Sequence, residues 1–206
     1  MPFGGLLATV PAQRTPPSWL GYVRVSDVDA TVAAALAAGA TLLVPVREIP
    51  GTGRFAVLAD PCGAPLAVFQ RAPGADGKPL PSAPRVGDVC WNEHWAHDVG
   101  DALAYYGPLF GWTAASVDMP SGVAYTVCRV GDVRVAGMLP SPMGGDVPPF
   151  WLYYVRVADA DASAAKAVSL GGEVTDGPRD VPGVGRFALL KDPAGAVFGI
   201  LAAPQL

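Results

Sequence analysis

The residues of this chain that are able to do chemistry are concentrated in one short segment, VCWNEHWAH. It contains Glu93 together with His94 and His97, which are the only two histidines of the chain. The segment has the composition of a β-strand, and residues three apart on a strand point to opposite faces. The two imidazoles therefore cannot converge on one metal ion without a bulge. We expect His94 and His97 to be solvent-facing or hydrogen-bonded instead of metal ligands.

Glu93 shares its strand face with Trp91 and Trp95, because side chains alternate along a strand. If that face lines a cleft, a carboxylate among indole rings suits a general base. The alternative is a glutamate paired with an arginine or a backbone amide at the rim. A set of aromatic side chains could surround a planar or apolar ligand, or could simply pack in the core between sheet and helix: Trp91, Trp95, Tyr125, Trp151 and Tyr153.

Composition excludes several classes of function. The net charge is −4 and the sequence has no basic run, so nothing indicates nucleic-acid binding. The N-terminal segment MPFGGLLATV has no positive region and too short an apolar run for a signal peptide or a membrane span. The three cysteines, Cys62, Cys90 and Cys128, are odd in number and scattered, which predicts reduced thiols in a cytoplasmic protein.

The elements that must position these residues are revealed by an internal duplication. Trp19–Gln70 aligns without a gap on Trp151–Ala202, and 24 of the 52 paired positions are identical. The identities include residues that cap helices or form turns, which shared composition would not hold in register. Examples are Asp27/Asp159, Gly39/Gly171, Arg54/Arg186, Asp60/Asp192 and Gly63/Gly195.

Each copy predicts the order β-α-β-β-β. In the first copy Asp27 is a helix N-cap, Gly39 follows the helix, and Asp60-Pro61-Cys62-Gly63 fits a type I turn. An apolar stripe of Val28, Val32, Ala35 and Leu36 is predicted along the helix, and the strands are predicted at Leu20–Val25, Thr41–Val44, Arg54–Leu58 and Pro65–Phe69. We expect Arg54 and Arg186 to pair with Asp60 and Asp192 or with backbone carbonyls.

A third, diverged module lies between the two copies. It is predicted to have a helix that begins after Asp98 and ends at Gly107-Pro108. Its strands are predicted at Val89–Ala96, Trp112–Val117, Gly122–Val130 and Val133–Leu139. The predicted organisation is a partial N-terminal unit (residues 1–72, one module plus a leading strand), a Pro/Gly-rich linker (73–85) and a complete domain of two modules (86–204). Because Gly4-Gly5-Leu6-Leu7 aligns on residues 136–139, we also expect a truncated module at the start.

The βαβββ repeat, the helix ending in YYGPLFGW and the GRF-(x)4-DPxG hairpin resemble the vicinal oxygen chelate superfamily. This superfamily contains glyoxalase I, bleomycin-resistance proteins and extradiol dioxygenases. The chain is most similar to its tandem two-domain bacterial glyoxalase-like members. The resemblance implies an α+β fold in which paired sheets form a cleft that holds a divalent metal or a small ligand.

The resemblance also implies where a metal would be held, and this chain departs from the pattern there. Members hold the metal with His, Gln or Glu on the first and fourth strands of each module. The aligned positions here are Trp19, Trp91, Trp151, Ala67, Met138 and Gly199, and a shift of one residue would bring in only Asn92. Such side chains cannot form a site for a divalent ion. We therefore expect no cofactor, with a divalent metal as the alternative.

The sequence leaves three functions open. The first is a metal-free small-molecule binder whose cleft is formed by Trp91, Glu93, Trp95, Tyr125, Met138, Trp151 and Tyr153. The second is an enzyme, either a metal-dependent lyase or dioxygenase or a metal-free acid/base catalyst that uses Glu93. The third is an interaction role, because an unpaired first module would expose an apolar sheet face. That module is expected to pair either with another chain, as a homodimer, or with the central module.

Overall fold

The computed structural model describes residues 5, 6, 8, 16–74, 83–119, 122, 124–144 and 147–203. Within these residues the α+β chain has three helices and twelve strands in two sheets. The order β-α-β-β-β occurs three times, as expected. The first module has β1 (Tyr22–Arg24), α1 (Val28–Ala37), β2 (Thr41–Ile49), β3 (Gly53–Ala59) and β4 (Pro65–Arg71). The central module has β5 (Val89–Ala96), α2 (Val99–Phe110), β6 (Thr113–Asp118), β7 (Ala124–Val130) and β8 (Val133–Pro140). The last module has β9 (Phe150–Val157), α3 (Ala160–Ser169), β10 (Glu173–Val181), β11 (Gly185–Lys191) and β12 (Val197–Ala202).

Contacts divide the chain into two compact units that cut across the modules. The two-module unit contains Leu20–Leu80 and Glu93–Trp151, so it holds the first module and most of the central one. The last-module unit contains Met1–Trp19, Pro81–Asn92 and Leu152–Leu206. Most of the predicted linker and half of the predicted leading segment, residues 4–7, lie outside the described residues.

The two-module unit is built on parallel pairing of the first and last strand of each module. In the first module the strand order is β1-β4-β3-β2, with β1 parallel to β4. In the central module β5 is parallel to β8, which pairs with β7 and through it with β6. The helices begin at Asp27 and Asp98, each of which accepts a hydrogen bond of 3.0 Å from a backbone N–H three residues on. These N-caps are the ones that the sequence predicts.

Two details of the helices differ from the prediction. Leu36 is 42% exposed and does not join the buried stripe of Val28, Val32 and Ala35 on α1. Helix α2 does not end at Gly107-Pro108 but continues through Pro108 to Phe110. Its end is set by Gly111, whose φ of 67° is in the left-handed region that glycine adopts without steric cost.

The last-module unit repeats the pattern of the first module. Its strand order is β10-β11-β12-β9, with β12 parallel to β9. Helix α3 begins at Asp159 and packs on the sheet through small side chains. The buried cluster under α3 consists of Ala160, Ala164, Ala188, Leu190, Ile200 and Ala202. Small residues on the helix bring its backbone close to the larger side chains of the strands.

The expected pairing of Arg54 and Arg186 with the turn aspartates is wrong. Arg54 forms an ion pair with Asp29 in the first turn of α1, and Arg186 pairs with Asp161 in the first turn of α3 and with Asp180. The turn aspartates have other partners: Oδ1 of Asp60 accepts hydrogen bonds of 2.9 Å from the N–H groups of residues 62 and 64. Oδ1 of Asp192 does the same with residues 194 and 196.

Candidate functional site

Glu93 lies on β5 with both carboxylate oxygens held by neighbouring side chains. The hydroxyl of Tyr125 on β7 donates a hydrogen bond of 2.8 Å to Oε1. The indole N–H of Trp95 donates one of 3.2 Å to Oε2. The acid is therefore oriented by two neutral donors, and it is only half-buried. These two bonds come from an indole and a phenol.

The bond between Tyr125 and Glu93 depends on Gly137. In the sheet Glu93 lies opposite Gly137 on β8, and Gly137 lies opposite Val127 on β7. Tyr125 therefore reaches Glu93 by crossing over the α-carbon of Gly137. A β-carbon added at Gly137 would lie 2.0 Å from the Tyr125 hydroxyl oxygen. Sequence reasoning did not single out Gly137, although a glycine inside a strand is a signal of such a close approach.

Aromatic rings form a wall beside the carboxylate. The side chain of Trp95 is buried, and its ring centroid lies 5.2 Å from that of Phe150 on β9. Trp95 and Tyr125 thus contact the carboxylate directly, and Phe150 packs against Trp95. We call the set Glu93, Trp95, Tyr125, Gly137 and Phe150 the Glu93 site.

The other predicted cleft residues do not all lie on the face of Glu93. Met138 is opposite His94 in the sheet, one residue from Gly137, and is fully buried. Trp151 packs on His94 with ring centroids 4.9 Å apart and donates its indole N–H to the Tyr106 hydroxyl at 3.0 Å. These two residues therefore share the α2 face of the sheet, because neighbouring side chains alternate between faces. Trp91, half-buried, and Tyr153, buried, belong to the last-module unit.

The expectation for His94 is wrong, since its side chain is 1% exposed. Its Nε2 atom lies 3.2 Å from Oδ2 of Asp60 without the alignment of a hydrogen bond, and neither ring nitrogen has a hydrogen-bond partner among the described residues. His97 is hydrogen-bonded, which was one of the two alternatives expected for it. Its Nε2 is 3.1 Å from the carbonyl oxygen of Val147. The two histidines thus have separate environments.

A buried polar cluster joins the first and central modules. Oδ2 of Asp60 accepts a hydrogen bond of 2.9 Å from the Tyr106 hydroxyl on α2. Burial raises the pKa of Tyr106 well above its usual value, and the Asp60 charge adds to this. Burial alone would raise the pKa of Asp60, but His94, the Ala64 N–H and the Tyr106 hydroxyl outweigh it, so the pKa of this carboxyl is lowered. The first and central modules are thus joined by a buried hydrogen bond between Asp60 and Tyr106.

The residues present do not fit a divalent metal ion. In the part of the chain that the structure describes, no group of three or more His, Cys, Asp or Glu residues is placed to hold one. The two side chains whose hydrogen bonds to Glu93 are described above are an indole and a phenol, and of these only the phenol has an oxygen. Hard and borderline cations need several oxygen or nitrogen ligands.

Two open surface depressions lie away from the Glu93 site. One is bordered by the first turn of α3 and by Asp180 and Arg186. The other lies over Asp60, Cys62, Asp101 and Tyr105. None of the helices in the described ranges is long and apolar enough to span a bilayer.

Comparison with known proteins identifies related sequences along most of the chain. A family model described as Glyoxalase/Bleomycin resistance protein/Dioxygenase superfamily matches residues 94–200. The chain is 41% identical over 191 residues to the "Putative glyoxylase CFP32" of Mycobacterium tuberculosis, covering 92% of this chain and 72% of that protein. It is 35% identical over 186 residues to the "Anthracycline biosynthesis protein DnrV" of Streptomyces peucetius, covering 90% of this chain and 66% of that protein.

Solved structures share the fold at low sequence identity. The Mn(II)-bound glyoxalase from Novosphingobium aromaticivorans superposes with a TM-score of 0.59 at 18% identity, over 88% of this chain and 61% of that one. The 2,3-dioxygenase LapB from Pseudomonas sp. KL28 superposes with a TM-score of 0.58 at 14% identity, over 89% of this chain and 71% of that one. At these identities the likeness shows the fold alone.

Proposed function

The chain belongs to the glyoxalase/bleomycin resistance protein/dioxygenase superfamily, and from this premise we propose that it binds a small planar organic molecule at the Glu93 site without a divalent metal. The observation that carries the proposal is the carboxylate of Glu93, held at both oxygens by Tyr125 and Trp95. A carboxylate fixed in one orientation beside aromatic rings is a preorganised acceptor for a hydroxyl or amino group of a ligand.

The aromatic wall favours a flat ligand. The ring centroids of Trp95 and Phe150 lie 5.2 Å apart with their planes tilted by 52°, and Tyr125 is fixed by its own hydrogen bond. Binding sites for small molecules are mainly apolar and aromatic, with a few polar groups that set orientation. Here Glu93 is the polar group and the rings supply the apolar area, so a hydroxylated aromatic compound matches both.

The names of two relatives support the same ligand class. The 35% identical proteins of Streptomyces peucetius and Streptomyces sp. are named for anthracycline biosynthesis. Anthracyclines are polycyclic, planar and hydroxylated. A ligand of this general shape is consistent with a site that pairs one carboxylate with three aromatic rings.

A metal-free acid/base enzyme is a second candidate, favoured by one contact. The 2.8 Å hydrogen bond from Tyr125 positions Oε1 of Glu93. A positioned carboxylate is able to accept a proton from a hydroxyl or an acidic C–H of a bound substrate. In that case Glu93→Gln abolishes turnover while ligand binding is largely kept. Loss of binding together with turnover points to the binding role.

The experiment is a titration of tryptophan fluorescence with planar hydroxylated aromatic compounds in the presence of EDTA. We expect saturable binding by the unmodified protein. Glu93→Gln is expected to weaken binding about ten- to a hundredfold, because a hydrogen bond to a charged group is worth roughly 1.5–3 kcal/mol. Glu48→Gln, on the exposed strand β2, is the matched control and should leave binding unchanged. Absence of saturable binding across the compounds, or equal binding by Glu93→Gln, would contradict the proposal.

A further inference from the structure

A row of four side chains crosses the sheet of the first module from one edge to the other. Arg24 on β1 lies opposite Phe69 on β4, and Phe69 lies opposite Phe55 on β3. Phe55 lies opposite Arg47 on β2. Residues directly opposite each other on paired strands are neighbours on one face of a sheet. We call these four residues the arginine row, since two phenylalanines lie between an arginine at each end.

The arginine row lies on the face of the sheet that α1 does not cover. Arg54, which precedes Phe55, forms its ion pair with α1. Gln70, which follows Phe69, accepts a hydrogen bond of 3.0 Å from the first N–H of α1. Because neighbouring side chains alternate between faces, both phenylalanines point away from α1. Both are half-buried, and the ring of Tyr22, 6.1 Å from that of Phe55, belongs to a residue that is 51% exposed. This face therefore carries three partly accessible aromatic rings.

The last module shows what an arginine at this place in the sheet pairs with. Arg179 corresponds to Arg47, and its guanidinium lies 4.6 Å from the centre of the Phe187 ring. The same guanidinium forms an ion pair of 2.7 Å with Asp176. In the first module the residue that corresponds to Asp176 is Val44. The last module thus provides a carboxylate for this arginine, and the first module has an apolar side chain in its place.

The two arginines of the row have no anionic partner. Among the residues that the structure describes, neither Arg24 nor Arg47 takes part in an ion pair or a side-chain hydrogen bond. Glu48 is next to Arg47 in the chain, but it lies opposite Arg54 and so on the α1 face. Both arginines of the row are exposed. Two uncompensated positive charges therefore flank the aromatic rings.

The tyrosine of this face is also more accessible than its counterpart in the last module. A β-carbon added at Gly199 would lie 2.3 Å from the Tyr154 ring, so Tyr154 packs directly over this glycine and is only 8% exposed. The first module has Ala67 in place of Gly199, and its methyl group keeps the corresponding Tyr22 from taking that position. The tyrosine closes this part of the sheet in the last module and leaves it open in the first.

We propose that the arginine row binds a flat aromatic molecule with an acidic group at each end, of the class of aromatic dicarboxylates. The rings of Phe55 and Phe69 provide apolar contact, and each guanidinium binds one carboxylate bidentately. Strands about 4.8 Å apart put roughly 14 Å between the α-carbons of Arg24 and Arg47. An inward reach over the rings, as Arg179 makes in the last module, brings both guanidinium groups to the ends of a two-ring ligand. Charge complementarity selects this occupant, which the acidic Glu93 site would repel.

The test is a titration with naphthalene-2,6-dicarboxylate, followed by the anisotropy of the probe's own fluorescence. We expect saturable binding that weakens as the salt concentration rises. Naphthalene-2,6-dimethanol has a similar shape without the charges and should bind at least about tenfold more weakly. Arg24→Gln and Arg47→Gln should each weaken binding of the dicarboxylate about ten- to a hundredfold. Arg179→Gln is the matched control in the last module and should leave binding unchanged, since Asp176 already pairs with that arginine.

Val44→Asp is the converse variant. It gives Arg47 the internal carboxylate that Asp176 provides in the last module, and it should weaken binding of the dicarboxylate about tenfold. Binding that Val44→Asp leaves unchanged, or that Arg179→Gln weakens as much as Arg47→Gln does, overturns the proposal. Equal binding of the dicarboxylate and the diol also overturns it, because the face is then selective only for apolar rings.

Two further readouts use the unmodified protein, in case a variant does not fold. Absence of saturable binding overturns the proposal, and a light-scattering mass that then rises with concentration assigns this face to a second copy of the chain. In NMR spectra the backbone amides of Arg24 and Arg47 should shift as the dicarboxylate is added. Amides that stay unchanged there contradict the proposal.

Discussion

The hydroxyl of Tyr125 reaches the carboxylate of Glu93, at 2.8 Å, only because Gly137 has no side chain between them. The three residues come from three neighbouring strands, β7, β5 and β8. The geometry of the Glu93 site is therefore built into the pairing of the sheet and does not depend on a loop. Sites on strands hold their side chains in more precise positions than sites on loops do.

Gly137→Ala is expected to destabilise the protein by about 1–3 kcal/mol, because the new methyl group would overlap the Tyr125 hydroxyl and force its ring to move. The free energy of unfolding in urea measures this. Gly107→Ala is the control: a β-carbon there meets the carbonyl of Trp112 at an ordinary 3.5 Å, and alanine suits a helix better than glycine. Equal stability of Gly137→Ala and the unmodified protein would contradict the close approach.

Asp60→Ala should destabilise the protein by about 1–3 kcal/mol more than Asp192→Ala. Both variants lose the same two hydrogen bonds to the turn. Only Asp60→Ala also leaves the buried Tyr106 hydroxyl without its acceptor. A double-mutant cycle with Tyr106→Phe measures the coupling between the modules. If the two aspartate variants lose the same stability, the Asp60–Tyr106 bond does not contribute.

The pKa of Asp60 predicts a loss of stability in acid. Although burial opposes it, the nearby imidazole of His94 and the hydrogen bonds from Ala64 and Tyr106 keep this pKa below that of the unfolded chain, about 3.9. The contribution of Asp60 is then complete above that value and lost as the pH falls through the folded-state pKa, because the unfolded state binds the proton more readily. Asp60→Asn should therefore show a shallower fall in the free energy of unfolding below about pH 4. An unchanged slope would contradict this assignment.

The three thiols should differ in reactivity. Cys62 is exposed, Cys90 is half-buried and Cys128 is buried. Burial raises the pKa of Cys128 to about 11 and also raises that of Cys90 and Cys62. Since the thiolate is the reactive form, Ellman's reagent should modify one thiol of the folded protein, faster as the pH rises, and all three after unfolding. Cys62→Ser should remove the fast phase, and fast modification of Cys128 would contradict its burial.

The fold could be predicted from the sequence because the same βαβββ module is repeated along the chain. The duplication predicted the helix N-caps at Asp27 and Asp159 and the turns at Asp60 and Asp192. All four occur as expected. Local chain geometry decides such features, so spacing is enough to find them. The end of α2 was missed because Pro108 marks a helix break in sequence, whereas Gly111 ends the helix.

The candidate site was only partly predictable. Because side chains alternate between the two faces of a strand, the sequence predicted that Glu93 and Trp95 lie on the same face of β5. The two side chains are hydrogen-bonded in the structure. Alternation does not say which residue of a distant module lies opposite a strand face. The contact of His94 with Asp60, 34 residues away in the first module, therefore could not be found from spacing. Met138 and Trp151 lie on the same face as His94, and this too depends on how distant segments pack and could not be found from spacing.

The proposed function requires that the Glu93 site serve an organic ligand without a divalent metal. The most direct measurement is calorimetric titration of EDTA-treated, dialysed protein with Mn²⁺, Fe²⁺, Ni²⁺ and Zn²⁺. Because indole and phenyl groups stand where ligands would be needed, we predict no heat beyond dilution for any of the four ions. One-to-one binding that Glu93→Gln abolishes and Glu48→Gln leaves unchanged would contradict the claim and place a metal at this carboxylate.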